Sequence, residues 1–220
     1  MREAVLAANL ALPAHGLVTL TWGNVSGIDR ERGLVAIKPS GVRYESMMLA
    51  DIVLVDLEGN VVEGERRPST DTPTHLELYR AYEWISGIVH THSPWTTAWA
   101  QAAREIPLLG TTHADLSARP IPLTRPLTES EVEEDYEGAT GRALVEAISE
   151  HDSCALVRGH GPFAWGASPA AAVEAAVTLE QVARLALLTT LLAPDGPPLA
   201  DAIRRKHFER KHGPHAYYGQ

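Results

Sequence analysis

The stretch Gly87-Ile88-Val89-His90-Thr91-His92-Ser93-Pro94 reads as a buried strand, Ile85–Thr91, followed at once by a helix that Pro94 begins and that runs to about Ala103. Upstream, Thr70-Asp71-Thr72-Pro73 joins cap residues to a proline in the first turn and predicts a helix through Leu76, Leu78, Tyr79 and Tyr82. Before it, segment 2–15 has helical apolar spacing closed by Gly16, and Val18–Trp22, Leu34–Lys38 and Ile52–Asp56 read as strands. Glu58-Gly59-Asn60 turns into Val61-Val62 as a hairpin. Downstream, Thr128-Glu129-Ser130-Glu131 opens an acidic helix to about Glu150, interrupted at Gly138 and Gly141. Cys154–Arg158 and Phe163–Trp165 form a strand pair around a Gly-Pro turn. Ser168-Pro169 caps the longest helix, from Ala170 to about Leu192, and 199–211 forms a last basic helix. Helices and strands interleave, so the class is α/β or α+β with helices covering a sheet.

The 220 residues suit one domain, and an apolar share of 45% with 21% charge is that of an ordered globular chain. A formal charge of −9 argues against a nucleic-acid partner but leaves room for a small anionic substrate. The lone Cys154 fits a reducing compartment and a place in the core. Met1-Arg2-Glu3-Ala4 lacks the features of a signal peptide, and the apolar run around 183–193 is broken by Arg184 and too short for a bilayer. A soluble, cytoplasmic protein with no membrane partner is expected.

His90 and His92, two residues apart on a strand, point to the same side, which suits a divalent transition metal. Alone, that motif favours two histidines hydrogen-bonded at a strand end. His160, in Arg158-Gly159-His160-Gly161-Pro162, supplies a third candidate ligand among glycines that permit close approach. A catalytic zinc takes about three protein ligands and keeps one position open. Asp71 is either a fourth or supporting member, or simply a helix cap. His113 and Asp115, in Gly110–Asp115, form another polar cluster or a solvated loop. Trp22–Ser26, Lys38–Gly41 and Pro68–Asp71 each combine small residues with oxygen-binding donors, and with Lys38 they point to a phosphate. Neither G-x-G-x-x-G nor the Walker pattern occurs, which argues against a nucleotide.

Taken together these motifs resemble the class II aldolase/adducin family. The resemblance rests on Asn9–Pro13, Thr19–Ser26, Ile37–Gly41, Ser69–His75, Gly87–Ser93, Gly110–Asp115 and His160–Gly166. Arg210–Gly213 and Ala216–Gln220 look like its L-ribulose-5-phosphate 4-epimerase branch. It implies a single-domain three-layer sandwich, a central, mainly antiparallel sheet flanked by helices. It implies zinc, or another divalent ion such as manganese or cobalt, on His90, His92 and His160 with Asp71 at or beside it. A phosphorylated ketopentose is the implied substrate, held by Gly23, Asn24, Ser40, Gly41, Ser69, Thr70 and Thr111, with Lys38 nearby. Asp115 and Tyr218 match the acid/base pair, and His207 and Arg210 match supporting substrate contacts. The family's homotetramers bring Asp115 and the tail 199–220 to a neighbouring subunit's metal. Aldolase relatives place Glu where Asp71 stands, so the shorter side chain favours the epimerase. The rivals are a class II aldolase acting on a deoxyketose 1-phosphate, a sugar-phosphate dehydratase, and an adducin-like binding module.

Overall fold

Side chains alternate between the two faces of a strand, so a run that is apolar throughout must be covered on both sides. The computed structural model describes residues 1–218 and forms seven strands, several of them such runs. They are β1 Asn24–Asp29, β2 Leu34–Ile37, β3 Val53–Asp56, β4 Val61–Glu63, β5 Gly87–His90, β6 Cys154–Val157 and β7 Gly161–Gly166. One sheet results, ordered β4-β3-β2-β1-β5-β7-β6, and every junction is antiparallel.

The helices are α1 Arg2–Ala14, α2 Thr72–Ala81, α3 Pro94–Gln101, α4 Thr111–Leu116, α5 Glu129–Ala147, α6 Pro169–Leu192 and α7 Asp201–His212. One face of the sheet sends Val25, Ala36, Val89 and Ala164 into a core shared with Leu12 of α1, Trp99 of α3 and Leu179 of α6. The alternate residues Val35, Ile88, Phe163 and Trp165 meet Leu76 and Tyr79 of α2 and Leu144 of α5. The chain therefore has the expected three layers, with helices on both faces of the sheet. Cys154 is buried in the first core, and burial pushes its thiol up.

Four details of the sequence reading need correction. Val18–Trp22 is not a strand. Leu20 takes the left-handed φ of 56° and the Trp22 N–H closes a turn on the Thr19 carbonyl at 3.1 Å, so the strand begins at Asn24 instead. Gly110–Asp115 is not a solvated loop but leads into α4, where His113 is buried and bonded to the Arg119 carbonyl. α5 runs unbroken through Gly138 and Gly141, and its kink lies at Asp135, with φ −159° and ψ 61°. The apolar run around 183–193 belongs to the 24-residue α6, which is long and apolar enough to cross a membrane. Its Glu180, however, accepts the Trp95 and Thr96 N–H groups at the start of α3, and its alanines line the core, as in the central helix of a globular domain.

The sheet's edges are short. β4 has three exposed residues, with Glu63 paired to Arg2. Beyond β6, residues 122–124 run alongside, with the Leu156 N–H donating to the Pro122 carbonyl and Thr124 N–H to the Leu156 carbonyl.

Gly87 ties the strand that carries His90 to α6. A methyl group there would lie 2.4 Å from the backbone of Ser168 and Pro169, where α6 begins. Because the obstacle is backbone, no rotamer change relieves it. Gly87→Ala is expected to lower unfolding stability by about 2 kcal/mol or more, read as a reduced midpoint in urea. A midpoint matching the parent protein would refute this packing argument.

Candidate active site

β1 and β5 run side by side with Asn24 opposite His90. His90 shares a face with Ile88, and its ring stacks on Phe163 with centroids 4.2 Å apart. Its Nδ1 is 3.0 Å from the Pro162 carbonyl. A ring whose Nδ1–H donates to that oxygen leaves Nε2 bare for a metal. His92 Nε2 lies 3.1 Å from His90 Nε2 and 3.1 Å from His160 Nε2. All three ligand atoms fall within 4.8 Å of one another. Two ligands at ~2.0–2.1 Å from one tetrahedral ion lie roughly 3.3 Å apart, so the observed spacing fits a shared ion. Burial, then the neighbouring rings, pushes His92 down and His160 down to about 4. Both are neutral at physiological pH, as metal ligation requires.

Asp71 stands at the N-cap of α2, yet its side chain makes no capping bond. Its Oδ2 instead accepts from Asn24 Nδ2 at 2.7 Å, and the same amide donates to Ser69 Oγ at 3.0 Å. Burial would raise the Asp71 carboxyl, but the carboxyl is lowered nonetheless, with the bond from the Asn24 amide contributing, and the group is ionised. The cap that a bare sequence favoured is therefore not what this carboxylate does.

The other oxygen-binding segments meet on the same side. Lys38–Gly41 and Arg67–Ser69 are cross-linked, with Ser40 N–H on the Arg67 carbonyl at 2.9 Å and Ser69 N–H on the Lys38 carbonyl at 3.0 Å. Ser40, Gly41 and Thr70 are exposed there. Lys38 is buried and commits its ammonium to the Thr21 and Pro39 carbonyls, over the Tyr44 ring, with burial lowering it to about 8. Tyr44 in turn donates to the Trp22 and Gly23 carbonyls. Lys38 thus holds the 21–23 loop. Gly23 has φ +78°, and a methyl group there would lie 2.9 Å from the His90 carbonyl, so this glycine lets the loop lie against β5. Ser26, grouped with a phosphate nest from the sequence, is wholly buried instead, 2.7 Å from both His75 Nδ1 and Tyr79 Oη.

The remaining expected residues gather elsewhere, where α7 packs on α4. Arg210 grips Asp115 with two bonds, at 3.0 and 2.7 Å, and His207 Nδ1 lies 3.1 Å away. The Arg210 guanidinium sits 4.1 Å over the Tyr218 ring. Burial raises the Asp115 carboxyl, but the bonds from Arg210 and His207 outweigh it and keep it ionised. Thr111 is exposed at the first turn of α4. Among the described residues no hydrogen bond or ion pair joins this cluster to the histidines. Gly219 and Gln220, part of the tail motif, lie outside the described residues.

Residues 3–187 match the profile of the class II aldolase and adducin N-terminal domain. The chain belongs to the class II aldolase family. It is 54% identical to L-ribulose-5-phosphate 4-epimerase UlaF of Salmonella paratyphi A and of Salmonella typhi, over all of this chain and 98% of each relative. Among solved structures it is similar to an L-fuculose 1-phosphate aldolase, with TM-score 0.81, 26% identity and 95% and 94% of the two chains covered. The L-fuculose-1-phosphate aldolase of Thermus thermophilus is 30% identical, with TM-score 0.68 over 90% and 97% of the chains. With 54% identity to an epimerase over its whole length, the protein is an enzyme.

Two features of this class II aldolase fold had no signal in the sequence. One is the buried chain of Tyr79, Ser26 and His75 beneath the site. The other is Tyr136, whose hydroxyl reaches His160 Nδ1 at 3.3 Å. Both depend on contacts between distant segments.

The purified protein is expected to hold about one zinc-like ion per chain, measured by elemental analysis. His90→Ala, His92→Ala and His160→Ala should each lose most of it. Full metal content in any of the three variants excludes that histidine as a ligand.

Proposed function

We propose that the protein is a divalent-metal-dependent L-ribulose-5-phosphate 4-epimerase that interconverts L-ribulose 5-phosphate and D-xylulose 5-phosphate in the cytoplasm. The observation that carries this reading is an ionised Asp71, free of capping duty, beside three converging histidines. The similarity to UlaF over the whole chain supports the same substrate. The likeness to fuculose-phosphate aldolases favours a second reading, cleavage of a deoxyketose 1-phosphate with release of both fragments.

Inverting C4 of a 2-ketopentose is hard by deprotonation, because the C4 hydrogen is beta to the carbonyl and its carbanion lacks stabilisation. Oxidation at C4 needs a nicotinamide, and the sequence carries no dinucleotide fingerprint. Cleaving C3–C4 avoids both. The C4 oxygen gives up its proton, C4 becomes the aldehyde carbon of glycolaldehyde phosphate, and the bonding electrons remain on the C1–C3 fragment. A divalent ion held by His90, His92 and His160 supplies Lewis-acid polarisation for that charge. Asn24, Ser40, Gly41, Ser69, Thr70 and the backbone around Gly23 hold the phosphate, so the aldehyde stays bound and can present its other face. Lys38 keeps the 21–23 loop in place for this.

When the bond re-forms, the C4 oxygen regains a proton from the opposite side. Two acid/base groups are needed, and Asp115 and Tyr218 are assigned the roles. Asp115, kept ionised by Arg210 and His207, is suited to accept the proton. Tyr218 is then the group that donates it. Because Asp115 and Tyr218 share one cluster and the histidines another, we infer a homotetramer in which the 199–220 tail and Asp115 complete a neighbour's site. The exposed Leu185, Leu188, Leu191 and Leu192 of α6 give such an assembly an apolar face.

Three outcomes are expected. L-Ribulose 5-phosphate should be converted in heavy water, without nicotinamide, to D-xylulose 5-phosphate with no deuterium at C4 by mass spectrometry. Deuterium at C4 overturns the cleavage route, and accumulation of free glycolaldehyde phosphate in place of the epimer favours the aldolase. Tyr218→Phe should lower kcat ~100-fold or more with a small change in KM, the signature of a contact made mainly in the transition state. Finally, co-expressed Asp115→Asn and His92→Ala chains, each inactive alone, should recover activity together. An active monomer in light scattering contradicts the shared site.

A further inference from the structure

Each ligand histidine must aim Nε2 at the ion, and what lies on Nδ1 decides how firmly it does so. For His90 the partner is a backbone carbonyl, that of Pro162, reinforced by the stacked Phe163 ring. His160 has neither support. It sits in a turn between two glycines, Gly159 with φ +73° and Gly161, where a methyl group would lie 2.7 Å from the Thr91 carbonyl. Its Nδ1 meets only the Tyr136 hydroxyl, at 3.3 Å, with the two rings 29° from parallel and 6.2 Å apart.

Tyr136 is delivered there by a built feature of α5. The helix kinks at Asp135, one residue earlier, and the Asp135 carboxylate folds back over Gly138, where a methyl group would lie 2.3 Å from Oδ2. Arg142 holds that carboxylate at 2.9 Å. Thr140 Oγ1 donates to the Tyr136 carbonyl at 2.8 Å, and Thr74 Oγ1 of α2 donates to the Glu137 carbonyl at 2.7 Å. Thr74 lies one turn beyond Asp71, so the same helix start positions the carboxylate and braces the tyrosine.

We propose that Tyr136 is a positioning residue of the metal centre: its hydroxyl oxygen accepts the His160 Nδ1–H and fixes the ring with Nε2 toward the ion. The proposal rests on the ligand set above, not on the identity of the sugar. Losing such an outer partner typically weakens metal binding 10- to 100-fold.

The test is competitive titration of metal-free protein with cobalt(II) against a chelator, with the absorption spectrum of bound cobalt recorded and no sugar present. Tyr136→Phe should raise the cobalt dissociation constant ~10-fold or more and alter the ligand-field bands. Tyr82→Phe is the control for packing, since it removes a hydroxyl that ties the residue just after α2 to α5 through the Val145 carbonyl, away from the three histidines. It should bind cobalt within about twofold of the parent, on the same scale. A Tyr136→Phe constant within twofold of the parent, or one no weaker than that of Tyr82→Phe, overturns the proposal. His160→Ala separates the two levels of the argument: if it too binds cobalt normally, the ligand set is wrong and the Tyr136 role falls with it.

Discussion

The register between β1 and β5, with Asn24 opposite His90, is the constraint on which the site depends. Strand side chains alternate, so a slip of one residue would send the slipped strand's member of the pair to the opposite face, toward α1 and α6. In the observed register Asn24 reaches Asp71 and Ser69, and His90 turns its Nε2 to the other two histidines. The apolar pattern enforces it. Val25 and Val89 must enter one core while Ile88 enters the other, which rules out any slip by an odd number of residues.

Around that pair the structure uses its buried polar groups to fix position. Lys38 and Tyr44 pin the loop before β1 through backbone carbonyls. Beneath the site, Ser26 links His75 to Tyr79, and burial drives His75 down to about 3, so the imidazole is neutral. The Ser26 hydroxyl, bonded on both sides, fixes the Tyr79 and His75 side chains relative to each other. The second cluster follows the same logic, with one carboxylate, Asp115, receiving a guanidinium and an imidazole.

Much of this could be read from the chain itself. Pro73 in the first turn of α2 and the Thr128–Glu131 box carry their structural meaning within a few residues and appear as expected, and His90 and His92 converge as expected although β5 ends at His90 and His92 lies just beyond it. What escaped depends on distance. Leu20 in a left-handed turn moves the start of β1, although Val18–Trp22 has strand-like composition. Asp71 has the sequence of a cap, and only the approach of Asn24 from 47 residues away draws its carboxylate elsewhere. Tyr136 sits in an acidic helix that kinks without a proline, at Asp135, whose carboxylate lies over Gly138.

The two ends of the sheet limit how the molecule can grow. Unpaired strand edges invite other strands to add to them. Here one edge is a three-residue strand carrying an ion pair, and the other is already occupied by residues 122–124. Neither offers a run long enough to continue the ladder into another chain. Any association between copies would have to use side-chain surfaces, where shape and charge select the partner, and fibre-like stacking through the backbone is discouraged.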